Sequence, residues 1–175
     1  MSEEKRELSI CEQLTRPAEE FENDAQVEAA WASSTIQHME AYYRLIRTID
    51  TEKHVIRLSK DDELLYQAFL ETFPDLNCEN LTENDLKSPE GKYLFSIYYF
   101  CCHFLFFYIA KTKWRDFCTK HQGLVEDYNF GTMLRLNSHK GYIEENTILV
   151  VRTQFAAIEI VRNRNNLNTN LPDDE

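Results

Sequence analysis

A long helical pattern near the start of the chain constrains the fold more than any other feature of the sequence. Apolar and aromatic side chains recur at steps of three and four residues over about 25 residues, which is the spacing of one helix face. Asn23 or Asp24 is suited to cap the start of this helix. The predicted face consists of Trp31, Thr35, His38, Met39, Tyr42, Leu45, Ile46 and Ile49.

The same spacing predicts three more helices further along the chain. A second helix ends before Pro74, a third covers residues 111–121 and a last one covers residues 151–165. Ser59, followed three residues later by Asp62, resembles a capping box at the start of the second helix. The apolar faces of these helices are predicted to contain Leu64, Leu65, Ala68, Phe69 and Phe73, then Trp114, Phe117, Cys118 and His121, and finally Phe155, Ile158 and Val161 or Arg162.

One region follows a period of two and therefore predicts strands. Residues 132–136 alternate, residues 138–141 form a turn signal, and Ile148 and Val150 belong to a β-branched run. Because the 175 residues include only four Gly and four Pro, the composition argues against a turn-rich β sandwich. We predict a mainly α, α+β fold, in which a compact helical domain carries one small antiparallel β-hairpin.

The distribution of charge and pattern divides the chain into three parts. Residues 1–24 carry eight acidic and three basic side chains, so we expect a flexible acidic segment. Residues 25–166 are expected to form a single globular domain, and residues 167–175 are expected to fray as a polar tail. The net charge of −11 disfavours binding to a phosphate backbone and favours a basic macromolecular partner.

An apolar run interrupts this domain at residues 93–110, which carry no formal charge. A native buried helix and a membrane segment are two interpretations of such a run. A third comes from the genetic code. The codons of residues 91–93 can contain the splice-donor sequence GTAAGTAT, a pyrimidine tract encodes Phe and Leu, and residues 109–110 can supply the acceptor. Splicing there removes 19 codons in frame, so we expect residues 92–110 to be a non-native insertion translated from a retained intron.

The sequence lacks the motifs of common enzyme classes. It contains no phosphate-binding loop, dinucleotide fingerprint, nucleophile elbow or HExxH motif. Five cysteines without a CxxC pair indicate a reduced, cytosolic chain. Cys118 and His121 share a helix face but lack a second ligand pair, and His38 is predicted to be a packed core histidine. The adjacent acids Glu126–Asp127 and Glu144–Glu145 point apart, so neither pair predicts an acid/base dyad. We expect no catalytic residue, metal or cofactor.

Two polar segments are the candidates for partner binding. Glu126, Asp127, Tyr128 and Asn129 lead into the hairpin, whereas Arg162, Asn163 and Arg164 end the last helix. The second segment has an alternative interpretation, because cations are favoured at the C-terminal end of a helix whatever their function. On the functional interpretation, the two segments form a polar recognition edge beside the hairpin.

Four sequence blocks carry a resemblance to a known family. In order along the chain, they are AWASSTIQHMEAYYRLI, KTKWRDFC, LVEDYNFGTMLRLNSHKGYIEENTI and QFAAIEIVRNR. The chain is similar over about residues 15–166 to the small eukaryotic family named polysaccharide-biosynthesis-domain-containing protein 1. In that family, residues 92–110 are expected to have no counterpart.

The resemblance implies a non-enzymatic, cytosolic chaperone for newly made translation elongation factor 1-alpha. Such a protein holds the GTP-binding domain of its client during synthesis and releases it once GTP is bound. From the residues themselves, we expect no cofactor, no nucleic acid and no membrane as partners, and we expect a monomer. An interaction or adaptor protein of other purpose is one alternative, and an enzyme of sugar metabolism, which the family name suggests, is another.

Overall fold

The computed structural model describes residues 25–49, 56–86, 112–169 and 171–172, and these form a mainly helical domain with one hairpin. The predicted fold class is therefore confirmed. The caps Asn23 and Asp24, the acidic segment 1–24 and the apolar run 92–110 lie outside the described residues. The elements are α1 (Ala25–Thr48), α2 (Asp62–Thr72), the single turn α3 (Glu83–Leu86), α4 (112–120), β1 (Gly131–Arg135), a 3₁₀ turn (Glu144–Asn146), β2 (Thr147–Val151) and α5 (Arg152–Arg164).

Helix α1 follows the predicted face over most of its length. Thr35, Tyr42 and Ile46 are buried, as the spacing indicates, whereas Trp31 near the start of the helix is 38% exposed. Tyr43, which the pattern placed off the face, is also buried. The helix lies against β1, where the Thr35 hydroxyl donates to the carbonyl of Gly131 at 3.1 Å.

The start of α2 differs from the predicted capping box. The Asp61 carboxylate, not Ser59, caps the helix and accepts from the backbone N–H of Leu64 at 3.0 Å. Asp62 and Ser59 do interact, because the Asp62 carboxylate accepts from the backbone N–H of Ser59 at 2.7 Å and from its hydroxyl at 2.6 Å. This pair tightens the loop ahead of the helix, so the N-cap lies two residues later than the sequence pattern indicates.

Aromatic rings join α2 to α4. Leu65 and Phe69 of α2 are buried as predicted, although Leu64 is exposed. The rings of Phe73 and Trp114 stack with their centroids 4.1 Å apart, and the Trp114 indole N–H donates to the carbonyl of Asp85 at 2.7 Å. Because the indole N–H has a partner, this tryptophan is buried without an unsatisfied donor.

The hairpin and α5 form the centre of the domain. The strands β1 and β2 pair antiparallel, with Met133 opposite Leu149 and Leu134 opposite Ile148. Leu134, Ile148 and Val150 are buried, and residues 153–162 of α5 are buried on every face. A helix that is covered all round needs partners on several sides, and α5 packs against α2, β1 and β2.

The predicted fraying after α5 is wrong for the residues that the structure describes. Asn168 is buried, and its side-chain amide donates to Glu159 at 2.8 Å and to the side-chain oxygen of Asn163 at 2.7 Å. The Tyr43 hydroxyl donates to the carbonyl of Pro172 at 3.2 Å. These hydrogen bonds explain why a polar segment packs here, since its amides complete a buried polar network.

Candidate partner-binding surface

The first predicted segment, residues 126–129, lies at the surface beside the start of α5. Glu126, Asp127 and Asn129 are exposed, and Tyr128 is half-buried. The Tyr128 carbonyl accepts from the backbone N–H and from the hydroxyl of Thr153, at 3.1 and 3.0 Å. Asp127 has φ of 50°, a left-handed conformation that Asp tolerates better than most residues. The loop is therefore held in one shape while its acidic side chains face solvent.

Apolar side chains adjoin this acidic loop. The rings of Trp31 and Phe130 meet edge to face with their centroids 5.8 Å apart, and Leu149 on the outer face of the hairpin is 48% exposed. Leu149 lies close to Gly131, because a Cβ on that glycine would be only 3.3 Å from a Leu149 methyl. We call the acidic and apolar set Trp31, Glu126, Asp127, Phe130 and Leu149 the loop–hairpin surface.

Arg152, the first residue of α5, joins the acidic and apolar parts of this surface. One of its guanidinium nitrogens lies 3.5 Å from the Asp127 carboxylate, and its guanidinium carbon lies 5.4 Å from the centre of the Phe130 ring. An exposed ion pair of this length contributes little to stability. Through this side chain, the acidic loop and the Phe130 ring share one cationic neighbour.

Arg162 of the second predicted segment cannot contribute to a recognition edge, because its side chain is fully buried. Its guanidinium donates to Glu159 at 2.8 Å, to the carbonyl of Cys78 at 2.7 Å and to the carbonyl of Leu136 at 3.0 Å. No part of its side chain is accessible to a partner protein. The assignment of Arg162 to partner binding is therefore wrong, and the residue is a structural cation.

Arg162 belongs to a buried network centred on Glu159. The Glu159 carboxylate accepts from the Tyr42 hydroxyl at 2.9 Å and lies 3.7 Å from the guanidinium of Arg135. Burial alone would raise the pKa of Glu159, but the guanidiniums of Arg162 and Arg135 outweigh burial and hold the pKa below its usual range. The carboxylate is charged at neutral pH and serves as the counterion of two buried arginines.

Asn163 and Arg164 are also held by neighbouring elements. The Asn163 amide donates to the Tyr42 hydroxyl at 3.2 Å. Arg164 is partly exposed, pairs with Glu63 of α2 at 2.7 Å and stacks on the Tyr66 ring at 4.2 Å. Asn163 and Arg164 lie at the end of α5, whereas the acidic loop lies beside its start. At 1.5 Å per helical residue, the two ends of this helix are about 18 Å apart. The structure does not bring the two predicted segments together.

A groove at the C-terminal end of α1 was not predicted from the sequence. It has a volume of about 480 Å³ and is lined by Met39, Glu40, Tyr43, Arg44, Arg47 and Tyr142. The Arg47 guanidinium lies 5.5 Å from the centre of the Tyr43 ring, and the Tyr43 and Tyr142 rings meet edge to face at 5.4 Å. In the sequence, the only indication of this groove is a pair of arginines one helical turn apart, with a tyrosine next to the first of them.

His38, predicted to be a packed core histidine, is half-buried beside Phe155. Its Nδ1 atom lies 2.7 Å from the Thr132 hydroxyl, and its ring centroid is 5.1 Å from that of Phe155. Burial, followed by the charge of Arg152, lowers the pKa of His38 to about 4. The imidazole is therefore neutral at physiological pH and serves as a hydrogen-bonding packing residue.

The pair Cys118 and His121 shows no arrangement for metal binding. The His121 Nδ1 atom lies 2.8 Å from the carbonyl of Phe117, and burial raises the pKa of Cys118 to about 11. Within residues 25–49, 56–86, 112–169 and 171–172, no three His, Cys, Asp or Glu side chains converge on a metal-sized site. In the same part of the chain, no helix has the length and apolar character needed to cross a membrane.

Comparisons with known proteins confirm the resemblance seen in the four sequence blocks. The sequence model of the PBDC1 protein family matches residues 27–105 and 108–172. Protein PBDC1 of Mus musculus is 43% identical over 161 residues, which cover 92% of this chain and 71% of the mouse protein. Protein PBDC1 of Homo sapiens is 41% identical over 161 residues, which cover 92% of this chain and 60% of the human protein. The Saccharomyces cerevisiae homolog is 34% identical over 155 residues, covering 86% of this chain and 92% of the yeast protein.

A solved structure is also similar. A solution NMR structure of a Saccharomyces cerevisiae protein has a TM-score of 0.60 to this chain at 33% sequence identity. The similarity covers 88% of this chain and 94% of the yeast chain. Because the identity extends over most of both chains, the yeast structure supports the same overall fold.

The matched ranges bear on the apolar run. They include all of residues 92–110 except 106 and 107, so the expected absence of a family counterpart is not confirmed. The origin of this run in a retained intron stays a prediction.

Proposed function

Because this chain belongs to the PBDC1 protein family, we propose that it is a non-enzymatic cytosolic chaperone for newly synthesised translation elongation factor 1-alpha. It binds the GTP-binding domain of this client during synthesis, assists its folding and releases it once GTP is bound. The observation that carries the proposal is the loop–hairpin surface, where exposed apolar side chains adjoin a rigid acidic loop.

The apolar part of this surface suits a folding client. Trp31 and Leu149 keep 38% and 48% of their surface in water, and the Phe130 ring lies between the Trp31 ring and the Arg152 guanidinium. Aromatic side chains of this kind supply much of the binding energy at protein interfaces when a partner covers them. A client with unfinished core packing offers apolar groups that can cover these side chains.

The acidic part of the surface suits a basic client. Glu126 and Asp127 are exposed beside the apolar side chains, and the chain as a whole carries a net charge of −11. Charges at the rim of an interface speed association and select partners of opposite charge more than they raise affinity. The elongation factor is basic, so both long-range attraction and local pairing favour its capture.

The charged groups in the interior support a non-enzymatic protein. Glu159, Arg135 and Arg162 bond to one another and to buried amides and carbonyls, and none has an exposed side chain. A catalytic group has to reach a substrate within hydrogen-bonding distance. These buried groups stabilise the fold instead.

The test is capture of nascent elongation factor from a translation extract, with GTP withheld or added. The variant combines Glu126→Lys with Asp127→Asn, because Asn tolerates the left-handed backbone at position 127. Exposed ion pairs contribute about 0.2–1 kcal/mol each, so we expect the loss of two of them to weaken capture by about two- to thirtyfold. The loss is expected to diminish as salt is raised, and added GTP is expected to release the client from the wild-type protein.

The matched control combines Glu144→Lys with Glu145→Gln. This pair is also adjacent, exposed and acidic, and it lies at the opposite end of the hairpin. A second comparison sets Leu149→Ser against Ile143→Ser, since the two side chains are 48% and 53% exposed. Equal capture by both members of each comparison would refute binding at the loop–hairpin surface. Failure of the wild-type protein to capture the elongation factor would refute the function itself.

A further inference from the structure

We propose that the outer edge of strand β2 binds an extended basic segment of the client, which joins the hairpin as a third strand. This inference rests on the proposed function for the identity of the client, and it specifies how the client is held. The edge is continuous with the loop–hairpin surface, because Leu149 of β2 belongs to both.

The register of the hairpin determines which backbone groups of β2 point away from β1. The backbone N–H of Arg152 donates to the carbonyl of Phe130 at 2.9 Å, so these two residues form a hydrogen-bonded pair. In an antiparallel ladder, hydrogen-bonded and non-hydrogen-bonded pairs alternate along the strands. Met133 and Leu149 lie opposite each other three positions further on and therefore form a non-hydrogen-bonded pair. Their backbone N–H and carbonyl groups point outward, away from the partner strand.

The outer edge of β1 is already covered by other parts of the domain. The carbonyl of Gly131 accepts from the Thr35 hydroxyl of α1 at 3.1 Å. The carbonyl of Met133 accepts from the Tyr142 hydroxyl at 3.3 Å. A segment of another protein would have to displace α1 and Tyr142 to pair with this strand, so β1 is not the accessible edge of the hairpin.

The outer edge of β2 is open at its centre. Its ends are bonded locally, because the backbone N–H of Thr147 donates to the carbonyl of Glu144 and that of Val151 donates to the Gln154 side chain at 3.2 Å. Between these ends, the outward N–H and carbonyl of Leu149 have no hydrogen-bond partner in the part of the chain that the structure describes. One residue of an antiparallel third strand can satisfy both groups, and an edge with free groups is a template for such pairing.

The side chains beside this opening favour an apolar and basic segment. The Leu149 side chain is 48% exposed and can pack against an apolar side chain of the incoming strand. Glu126 and Asp127 are exposed at the end of β2 that leads into α5. Arg152 offsets part of this charge, since it lies 3.5 Å from Asp127 and is 21% exposed. The remaining negative charge complements a basic segment and disfavours an acidic one.

The other end of β2 also carries acidic side chains, because Glu144 and Glu145 are exposed just before the strand. The aromatic side chains Trp31 and Phe130, however, contact each other at the loop end. A segment that runs toward the acidic loop therefore gains both charge pairing and apolar contact, and we expect capture to depend more on that end.

The first test is amide hydrogen exchange of the full chain, measured by NMR with and without a hexapeptide of alternating valine and lysine. In the free protein, we expect the Leu149 amide to exchange at least about tenfold faster than those of Ile148 and Val150, which are bonded within the hairpin. The saturating peptide is expected to slow exchange at Leu149 by about tenfold or more. The matched control peptide is N-methylated at every residue, so that it keeps the side chains and lacks amide donors.

Three results of this test would overturn the proposal. One is a Leu149 amide that is already as protected as those of Ile148 and Val150 in the free protein. Another is equally tight binding of the N-methylated peptide, or of a peptide with glutamate in place of lysine. The third is protection of Leu149 that rises with protein concentration in the absence of peptide, which would assign the edge to a second copy of this chain.

The second test compares Leu149→Pro with Leu149→Ala. Both variants lose the apolar side chain, but only proline also removes the outward N–H, at a position of an edge strand where proline is tolerated. We expect Leu149→Pro to bind the hexapeptide about two- to tenfold more weakly than Leu149→Ala, because one hydrogen bond is lost. Equal affinities would overturn strand pairing. If Leu149→Pro does not unfold cooperatively in urea, the N-methylated peptide decides the question.

Capture of nascent elongation factor by the same two variants separates this inference from the proposed function. We expect Leu149→Pro to capture less client than Leu149→Ala. Equal capture by these two variants, together with the expected loss for Glu126→Lys with Asp127→Asn, would overturn pairing at the β2 edge and leave the proposed function in place. A wild-type protein that binds the hexapeptide with protection of Leu149, but captures no elongation factor, would support the edge site and refute the proposed function.

Discussion

Replacement of Glu159 by Gln tests whether the buried network determines the stability of the domain. The substitution keeps the shape of the side chain and removes its charge. In the wild type, one carboxylate oxygen accepts from Tyr42 and Asn168, and the other accepts from Arg162. Arg135 lies 3.7 Å from the first oxygen. The side-chain nitrogen of a glutamine donates two hydrogen bonds and accepts none. In either orientation of the amide, this nitrogen therefore faces groups that donate to Glu159 in the wild type.

The magnitude follows from this geometry. If the amide nitrogen faces Arg162, a charge-assisted hydrogen bond is lost, which contributes about 1.5–3 kcal/mol. If it faces Tyr42 and Asn168 instead, two hydrogen bonds are disturbed, because the Tyr42 hydroxyl already accepts from Asn163. In either orientation, two guanidiniums remain buried without a counterion. Removal of one partner from a buried ion pair costs about 3–5 kcal/mol, and we expect a loss of that size.

The assay is urea unfolding of the wild type and Glu159→Gln, followed by circular dichroism from pH 8 to pH 3. Because the folded-state pKa of Glu159 is held below its usual range, the unfolded state takes up the proton first as pH falls. The stabilisation from this carboxylate is complete above the unfolded pKa of about 4.3 and is lost as pH falls through the folded pKa. The difference between the two proteins is therefore expected to be constant down to about pH 5 and to shrink below it.

The matched control is Glu145→Gln, an exposed acid on the turn before β2. Surface substitutions of this kind change stability by less than about 0.5 kcal/mol. A loss below about 1 kcal/mol for Glu159→Gln at pH 7 would contradict a charged, fully desolvated carboxylate at the centre of the network. A difference that grows as pH falls would reverse the assigned direction of the pKa shift.

Three further predictions concern the core and the apolar run. Phe155→Ala is expected to lower the free energy of unfolding in urea by about 3–5 kcal/mol, whereas Leu64→Ala, at an exposed position, is expected to lower it far less. Equal losses in the two variants would place Phe155 at the surface. The His38 ring protons are expected to titrate near pH 4 by NMR, and the contribution of the neutral ring to stability is lost as pH falls from about 6.5 toward 4; a midpoint near 6.5 would contradict its burial. Deletion of residues 91–109 is expected to preserve cooperative unfolding, and either a deleted chain that fails to fold or transcripts that uniformly keep this segment would show that it is native.

The parts of the fold that the sequence predicted are those set by repeating patterns. The three- and four-residue spacing from Trp31 to Ile49 predicted α1, and the alternation after Gly131 predicted β1, because each element buries one face of its backbone geometry. The same logic explains the smaller errors. Asp61 and Ser59 are both good caps, and only the position at which the chain turns into α2 decides which of them is used.

The buried network was not predictable from such patterns. Arg135 and Glu159 appear in the sequence as ordinary charged residues, which are rarely fully buried, and Arg162 was placed on the face of the last helix only as an alternative to Val161. Their burial depends on partners from β1, α5 and the segment after α5. Because these elements are distant in the sequence, local residue spacing does not predict their contact. Asn168 was misjudged for the same reason, because its amide is buried only where Arg135 and Glu159 are already in place.

The network also constrains how α1, which carries part of the loop–hairpin surface, can move. Tyr42 bonds to Glu159, and the adjacent Tyr43 packs against Arg135 and bonds to Pro172, so the middle of α1 is held by two consecutive residues. Trp31 lies toward one end of this helix, and Arg44 and Arg47 lie toward the other. A shift of α1 would break hydrogen bonds in a region where unpaired polar groups are costly. A client that binds Trp31 at the loop–hairpin surface is therefore expected to leave the middle of α1 in place, and variants at that surface can be interpreted without a change in the buried network.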